Sequence, residues 1–306
     1  YYPLAGRLET CDGMVYIDCN DKGAEFIEAY ASPELGVAEI MADSFPHQIF
    51  AFNGVLNIDG HFMPLLAVQA TKLKDGIALA ITVNHAVADA TSVWHFISSW
   101  AQLCKEPSNI PLLPLHTRCF TTISPIKLDI QYSSTTTESI DNFFPPPLTE
   151  KIFHFSGKTI SRLKEEAMEA CKDKSISISS FQALCGHLWQ SITRARGLSP
   201  SEPTTIKIAV NCRPRIVPPL PNSYFGNAVQ VVDVTMTTEE LLGNGGACAA
   251  LILHQKISAH QDTQIRAELD KPPKIVHTNN LIPCNIIAMA GSPRFPIYNN
   301  DFGWGK

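Results

Sequence analysis

The pattern of apolar and polar positions makes the first stretch of the chain an α/β unit, with short runs of the kind expected of strands. Strands are predicted over 14–19 and 65–73, and the run Ile77–Val83 is a third. In that run the large apolar residues fall on odd positions, which gives one packed face and one face of small groups. His85 continues the odd parity where the strand ends. From Thr91 to Cys104 the period becomes helical, with Val93, Phe96, Ile97, Trp100 and Ala101 on one stripe.

No hydrophobic period survives between Pro107 and Pro147, where proline, serine and threonine cluster. Such a stretch predicts a long surface crossover, and the domain boundary falls inside it. The expected division is an N-terminal domain over 1–128, a linker over 129–148 and a C-terminal domain over 149–306. The second half restarts with a strand over 151–155 and an amphipathic helix over 158–171. A further helix is predicted over 181–196, capped by Ser179 or Ser180 and closed by Gly197. Strands over 204–212 and 228–235 flank a loop, followed by a helix over 246–260 and a last strand over 285–290. Two α/β halves joined by a long linker is the expected architecture.

Composition narrows the function classes. With 45% hydrophobic and 17% charged residues the chain is globular rather than disordered. A net charge of −5 with scattered basic residues gives nucleic acid no concentrated basic face. The longest apolar runs are too short to cross a bilayer. The nine cysteines show no C-x-x-C spacing, and their odd number argues against a complete disulfide framework, so no metal site is expected. There is no Asn-x-Ser/Thr sequon. A cytoplasmic protein is the expectation.

Two constellations carry candidate chemistry. In Asn84-His85-Ala86-Val87-Ala88-Asp89, a histidine at a strand end can present its imidazole to a cavity, taking a proton and later returning it. Asp89 could hold His85, pair with a distant arginine, or simply cap the following helix. Chance alone yields roughly half a His-x-x-x-Asp match in such a chain, so the spacing needs support from elsewhere. In Asp301-Phe302-Gly303-Trp304-Gly305, glycines bracket a tryptophan whose indole N–H could meet a developing oxyanion. The plain alternative is a structural turn with core aromatics.

The order of the landmarks supplies that support. Tyr2-Pro3-Leu4-Ala5-Gly6-Arg7, His85-x-x-x-Asp89, Asn211-Cys212-Arg213-Pro214-Arg215, Tyr224-Phe225-Gly226-Asn227 and Asp301–Gly305 follow one another along the chain. Together they resemble the plant BAHD acyltransferase family, of the hydroxycinnamoyltransferase-like kind. The resemblance implies two chloramphenicol-acetyltransferase-like α/β domains with mixed sheets and flanking helices, and an active-site channel between them. It also implies that residues are missing before Tyr1 and after Lys306. The family's glycine after the aspartate is Ala90 in this chain.

Carried onto this sequence, the resemblance implies that His85 is the general base of a direct acyl transfer from an acyl-CoA to the hydroxyl or amine of a plant metabolite. Trp304 is the expected oxyanion donor. Asp89 becomes structural, paired with Arg213 or Arg215, of which Arg213 is taken as the partner; Asp301 and Gly303 support the site. Acyl-CoA is a co-substrate with no permanent cofactor, held near Ser179, Ser180 and Lys306, with Lys172 and Lys174 as further possibilities. The partners implied are small molecules, and the chain is expected to act as a monomer away from membranes. Cys104 or Cys119 would be the nucleophile of a rival acyl-enzyme route. A same-fold lyase and a catalytically idle binding protein are the other readings.

Overall fold

Alternating side chains from separate segments build a small sheet in each half of the chain. The computed structural model describes residues 1–40, 47–118, 149–171, 175–271, 285–291 and 294–304. Strands β1 (Arg7–Cys11) and β2 (Met14–Asp18) form an antiparallel hairpin. Asp12 and Gly13 both take positive φ at its turn, the geometry for which Asp-Gly is preferred. Strands β3 (Glu25–Tyr30), β4 (Leu66–Lys72) and β5 (Ile77–Val83) lie in that order, β3 parallel and β5 antiparallel to β4.

Helix α1 (Ala90–Lys105) follows β5 after a tight turn. Its Val93, Phe96 and Trp100 pack on a core of Leu4, Leu8, Leu65, Leu66, Val68 and Val87. The odd residues Leu79, Ile81 and Val83 of β5 pack on the same core, as the parity of that run requires. Phe225 from the second half completes it.

The second half holds α2 (Gly157–Ala170), α3 (Ser180–Arg196), β6 (Pro203–Asn211), β7 (Val229–Thr237), α4 (Thr238–Ala259), α5 (Asp262–Leu269) and β8 (Ile286–Met289). Its sheet runs β7-β6-β8, with β7 antiparallel and β8 parallel to β6. Even residues Ile206, Ile208 and Val210 of β6 meet Trp189 of α3 and Leu241 and Leu253 of α4 in the core. The Trp189 indole N–H donates to Thr204 Oγ1 at 3.0 Å, so the buried ring leaves no polar atom orphaned.

Several elements differ from the sequence expectation. Residues 151–155 form no strand; Phe153 is exposed, and Phe155 instead lies edge-on to His187. The helix expected from 246 is present, and an unanticipated helical stretch precedes it from Thr238, capped by a Thr237–Glu240 box and broken from it at Gly245. Strands β1 and β3 and helix α5 were not anticipated. The linker over 129–148 lies outside the described residues. Before it, Leu115 pairs with Tyr224, its N–H donating to Ser223 O and its C=O accepting from Phe225 N. Among the described residues no helix is long and apolar enough to cross a membrane.

Candidate active site

His85 sits in an exposed turn between β5 and α1. Its N–H donates to Asn57 Oδ1 at 3.1 Å, and its C=O accepts from Asn227 Nδ2 at 2.8 Å. Asn227 Nδ2 also lies 3.2 Å from Ala86 O. Within the turn, Asn84 Oδ1 accepts from Ala86 N, and Asn84 Nδ2 donates to Asn57 O. Three asparagines therefore hold the main chain that carries the imidazole. A cavity of about 50 Å³ opens beside the turn, lined by Phe52, Leu56, Asn57, Met63, Thr82 and Asn84.

Asp89 fills two of the three roles left open by the sequence, and the remaining one, holding His85, is excluded. As N-cap of α1 it accepts from Ser92 N at 3.0 Å. The same carboxylate receives Arg213 Nη1 and Nη2 at 2.7 and 3.0 Å, in a bidentate pair buried on both sides. Ala228 N donates to Asp89 Oδ2 at 2.8 Å. Ala90 is the first helical residue, so the glycine replacement falls where alanine is a good helix former.

Arg213 is fully buried and reaches further. Its Nη2 also meets Ser92 Oγ, Tyr224 O and Gly226 O at 2.9–3.1 Å, and its guanidinium lies over the Tyr224 ring. Burial of Tyr224 pushes its phenol up, against the pull of Arg118 and Arg213. Arg215 goes elsewhere, donating to Ile257 O and His260 O at the end of α4. The two arginines part because β6 ends at Asn211 and the chain turns before either residue.

The second constellation lies away from His85. Lys105 Nζ pairs with Asp301 Oδ2 at 2.9 Å, and Gly303 N donates to Asp301 Oδ1 at 2.9 Å. Gly303 takes φ 92°, a conformation in which a side chain would be strained. Phe302 meets Trp100 edge-on, and Trp304 stacks on Phe302. Through Lys105 and Trp100 the segment packs on the C-terminal half of α1, a helix of 16 residues and about 24 Å that is capped at Asp89. Trp304 is 75% exposed there and is not brought to His85. Nothing in this placement supports the oxyanion role expected of it, and Asp301 braces the end of the helix through Lys105.

Cys104 is exposed near the C-terminal end of α1, and Cys119 lies outside the described residues. Ser179 accepts from Gln182 N as the N-cap of α3, in a capping box with Gln182, and Ser180 is exposed at the first helical position. Lys306, Gly305, Lys172 and Lys174 lie outside the described residues. The sequence reading missed Asn57, Asn84, Asn227 and Ser92. Asn227 was part of a quoted landmark, but nothing in its spacing pointed at His85.

A family model described as "Transferase family" matches residues 1–306. The BAHD acyltransferase DCR of Arabidopsis thaliana is 36% identical over 326 residues, an alignment spanning all of this chain and 67% of that protein. The chain belongs to the BAHD acyltransferase family. Its fold is shared with the crystal structure of vinorine synthase, at 22% identity and TM-score 0.58 over 100% of this chain and 70% of that one. It is also shared with F. graminearum TRI101 complexed with coenzyme A and T-2 mycotoxin, at 18% identity and TM-score 0.73 over 98% and 74% of the two chains. In this BAHD member the mixed sheets and flanking helices expected from the sequence are present in both halves. His85 and Asp89 lie where the two halves meet, tied across by Asp89–Arg213 and His85–Asn227.

Proposed function

We propose that this BAHD member transfers an acyl group from an acyl-CoA thioester to the hydroxyl or amine of a plant metabolite, with His85 as general base. One observation carries the reading: the motif's carboxylate is consumed by Arg213, Ser92 and Ala228, while the neighbouring imidazole is exposed and makes no hydrogen bond among the described residues. An imidazole aimed by its main chain, with no carboxylate partner, suits a base that must accept and return a proton near neutrality.

The transfer is direct, in a ternary complex. The acceptor O–H or N–H gives its proton to the imidazole as the oxygen or nitrogen bonds to the thioester carbonyl carbon. The tetrahedral intermediate collapses by breaking the C–S bond, and the thiolate takes the proton back from the imidazolium. Asp89 and Arg213 fix the turn without touching substrate. Coenzyme A bound to the TRI101 protein supports the donor class. Its phosphates suit the N-terminus of α3, where Ser180 is exposed while the Ser179 hydroxyl is committed to the cap, with Lys306 as a further contact.

The test is release of free thiol from acetyl-, malonyl- and hydroxycinnamoyl-CoA against a panel of alcohols and amines. His85→Ala is expected to cut turnover by about 10²–10⁴-fold without loss of folding or coenzyme A binding. Wild-type turnover in that variant overturns the reading. An acyl adduct trapped on the protein by rapid quench would replace direct transfer with a covalent route.

A further inference from the structure

We infer that Asn227 is a positioning residue for His85, acting from the second half of the chain, with Asn57 as its counterpart on the first. The inference rests on His85 being the base and goes beyond it by assigning what aims the imidazole.

The main-chain accounting around the turn is closed. His85 N–H goes to Asn57 Oδ1, and His85 C=O and Ala86 C=O both accept from Asn227 Nδ2. Ala86 N–H goes to Asn84 Oδ1, and Val87 N–H returns to Asn84 O. The amide orientation of Asn227 follows from its partners, since two carbonyl oxygens can be met only by the NH₂ group. By the same logic Asn57 must face an N–H with its oxygen.

These groups are exposed, and exposed main-chain groups can bond to water instead. Satisfying them is therefore not what the asparagines uniquely contribute. What water could not supply is a fixed direction for the His85 Cα–Cβ bond, gripped through its N–H on one side and its C=O on the other. The imidazole has no hydrogen-bond partner of its own among the described residues, so this grip stands in for the side-chain partner that usually orients a catalytic histidine. Asn227 in turn is placed by its neighbours. Gly226 is locked by Ser92 Oγ and Arg213, and Ala228 N is held by Asp89. The buried ion pair and the exposed grip are thus consecutive parts of one support.

Steady-state kinetics and thermal unfolding of the full-length chain test this, using thiol release from the thioester and acceptor that the panel above identifies. Asn227→Ala is expected to lower kcat about ten- to a hundredfold with KM within about twofold, because misaimed groups lose transition-state geometry rather than binding. Its Tm should stay near that of the parent. Asn227→Asp sets a carboxylate against two carbonyls and near the imidazolium, so the ascending limb of kcat against pH should move to higher pH. In a His85→Ala background, Asn227→Ala should cause no further loss, since its only route to the chemistry has gone. Wild-type kcat in Asn227→Ala, or an equal fold-loss with and without His85, overturns the inference. So does a kcat loss accounted for by a lost folded fraction. If His85→Ala itself is fully active, the functional reading fails first; if His85 is essential and Asn227 is not, only the positioning role fails.

Discussion

Asp89 and Arg213, 124 residues apart, meet as a bidentate pair in which the carboxylate also caps α1 and holds Ala228 N. Four donors occupy its oxygens, so the motif's aspartate has no lone pair left for His85. Removing one partner leaves the other charge buried and unpaired. Asp89→Ala or Arg213→Met should each destabilise by about 3–5 kcal/mol in urea unfolding. The double variant should cost clearly less than the sum. Additive losses would show that the pair is not coupled.

Gly226 tests the backbone behind Asn227. It takes φ 153°, and a side-chain carbon there would fall 2.7 Å from the Arg118 guanidinium and 2.9 Å from the Tyr224 hydroxyl. Gly226→Ala is expected to lower stability by about 1–3 kcal/mol and to reduce turnover through displacement of Asn227. Unchanged unfolding midpoint and turnover would argue that Arg118 simply moves aside.

Trp304 offers a negative control. It is stacked on Phe302 and braced against the end of α1 rather than the turn at its start. Trp304→Phe should keep turnover within about threefold, far from the 10²–10³ loss typical of a missing oxyanion donor. A hundredfold fall in kcat with intact folding would restore the oxyanion role.

Three histidines give stability a pH dependence. Burial holds His95, His116 and His260 below the ordinary imidazole range, with Arg213, Arg118 and Arg215 respectively adding to the effect. Each binds a proton more readily in the unfolded chain, so their contribution is complete above about pH 6.5 and is lost progressively as pH falls below it through the lowered folded-state values. The urea midpoint should drop between pH 7.5 and pH 5.5, and the drop should shrink in His116→Phe. An equal midpoint at both pH values would contradict this.

Periodicity made the strand before His85 and the helix after Asp89 legible to within a residue, because both bury one face of a regular pattern. The hairpin of β1 and β2 was legible in principle, since Asp12-Gly13 is a strong turn signal. Strand β3 was not: Glu25, Glu28 and Tyr30 leave it mostly exposed with little apolar contrast. The first turns of α4 were hidden by Gly243, Gly245 and Gly246, although Thr237 and Glu240 carried a capping signature. At the site, the chemical landmarks were visible, but proximity was not. Landmarks in sequence order suggested that Trp304 shared a site with His85, yet the segments that carry them lie toward opposite ends of one helix. Asn57 and Asn227 act through side-chain contacts with backbone, which leave no period or spacing to read.

The grip on His85 reaches across 142 positions of the chain. During synthesis, at about 5–20 residues per second, Asn227 follows His85 by roughly seven to thirty seconds. For that interval the growing polypeptide displays the motif with its aspartate uncompensated and its histidine unaimed. A premature stop between Asp89 and Arg213 would release a product with an intact signature and an inert imidazole.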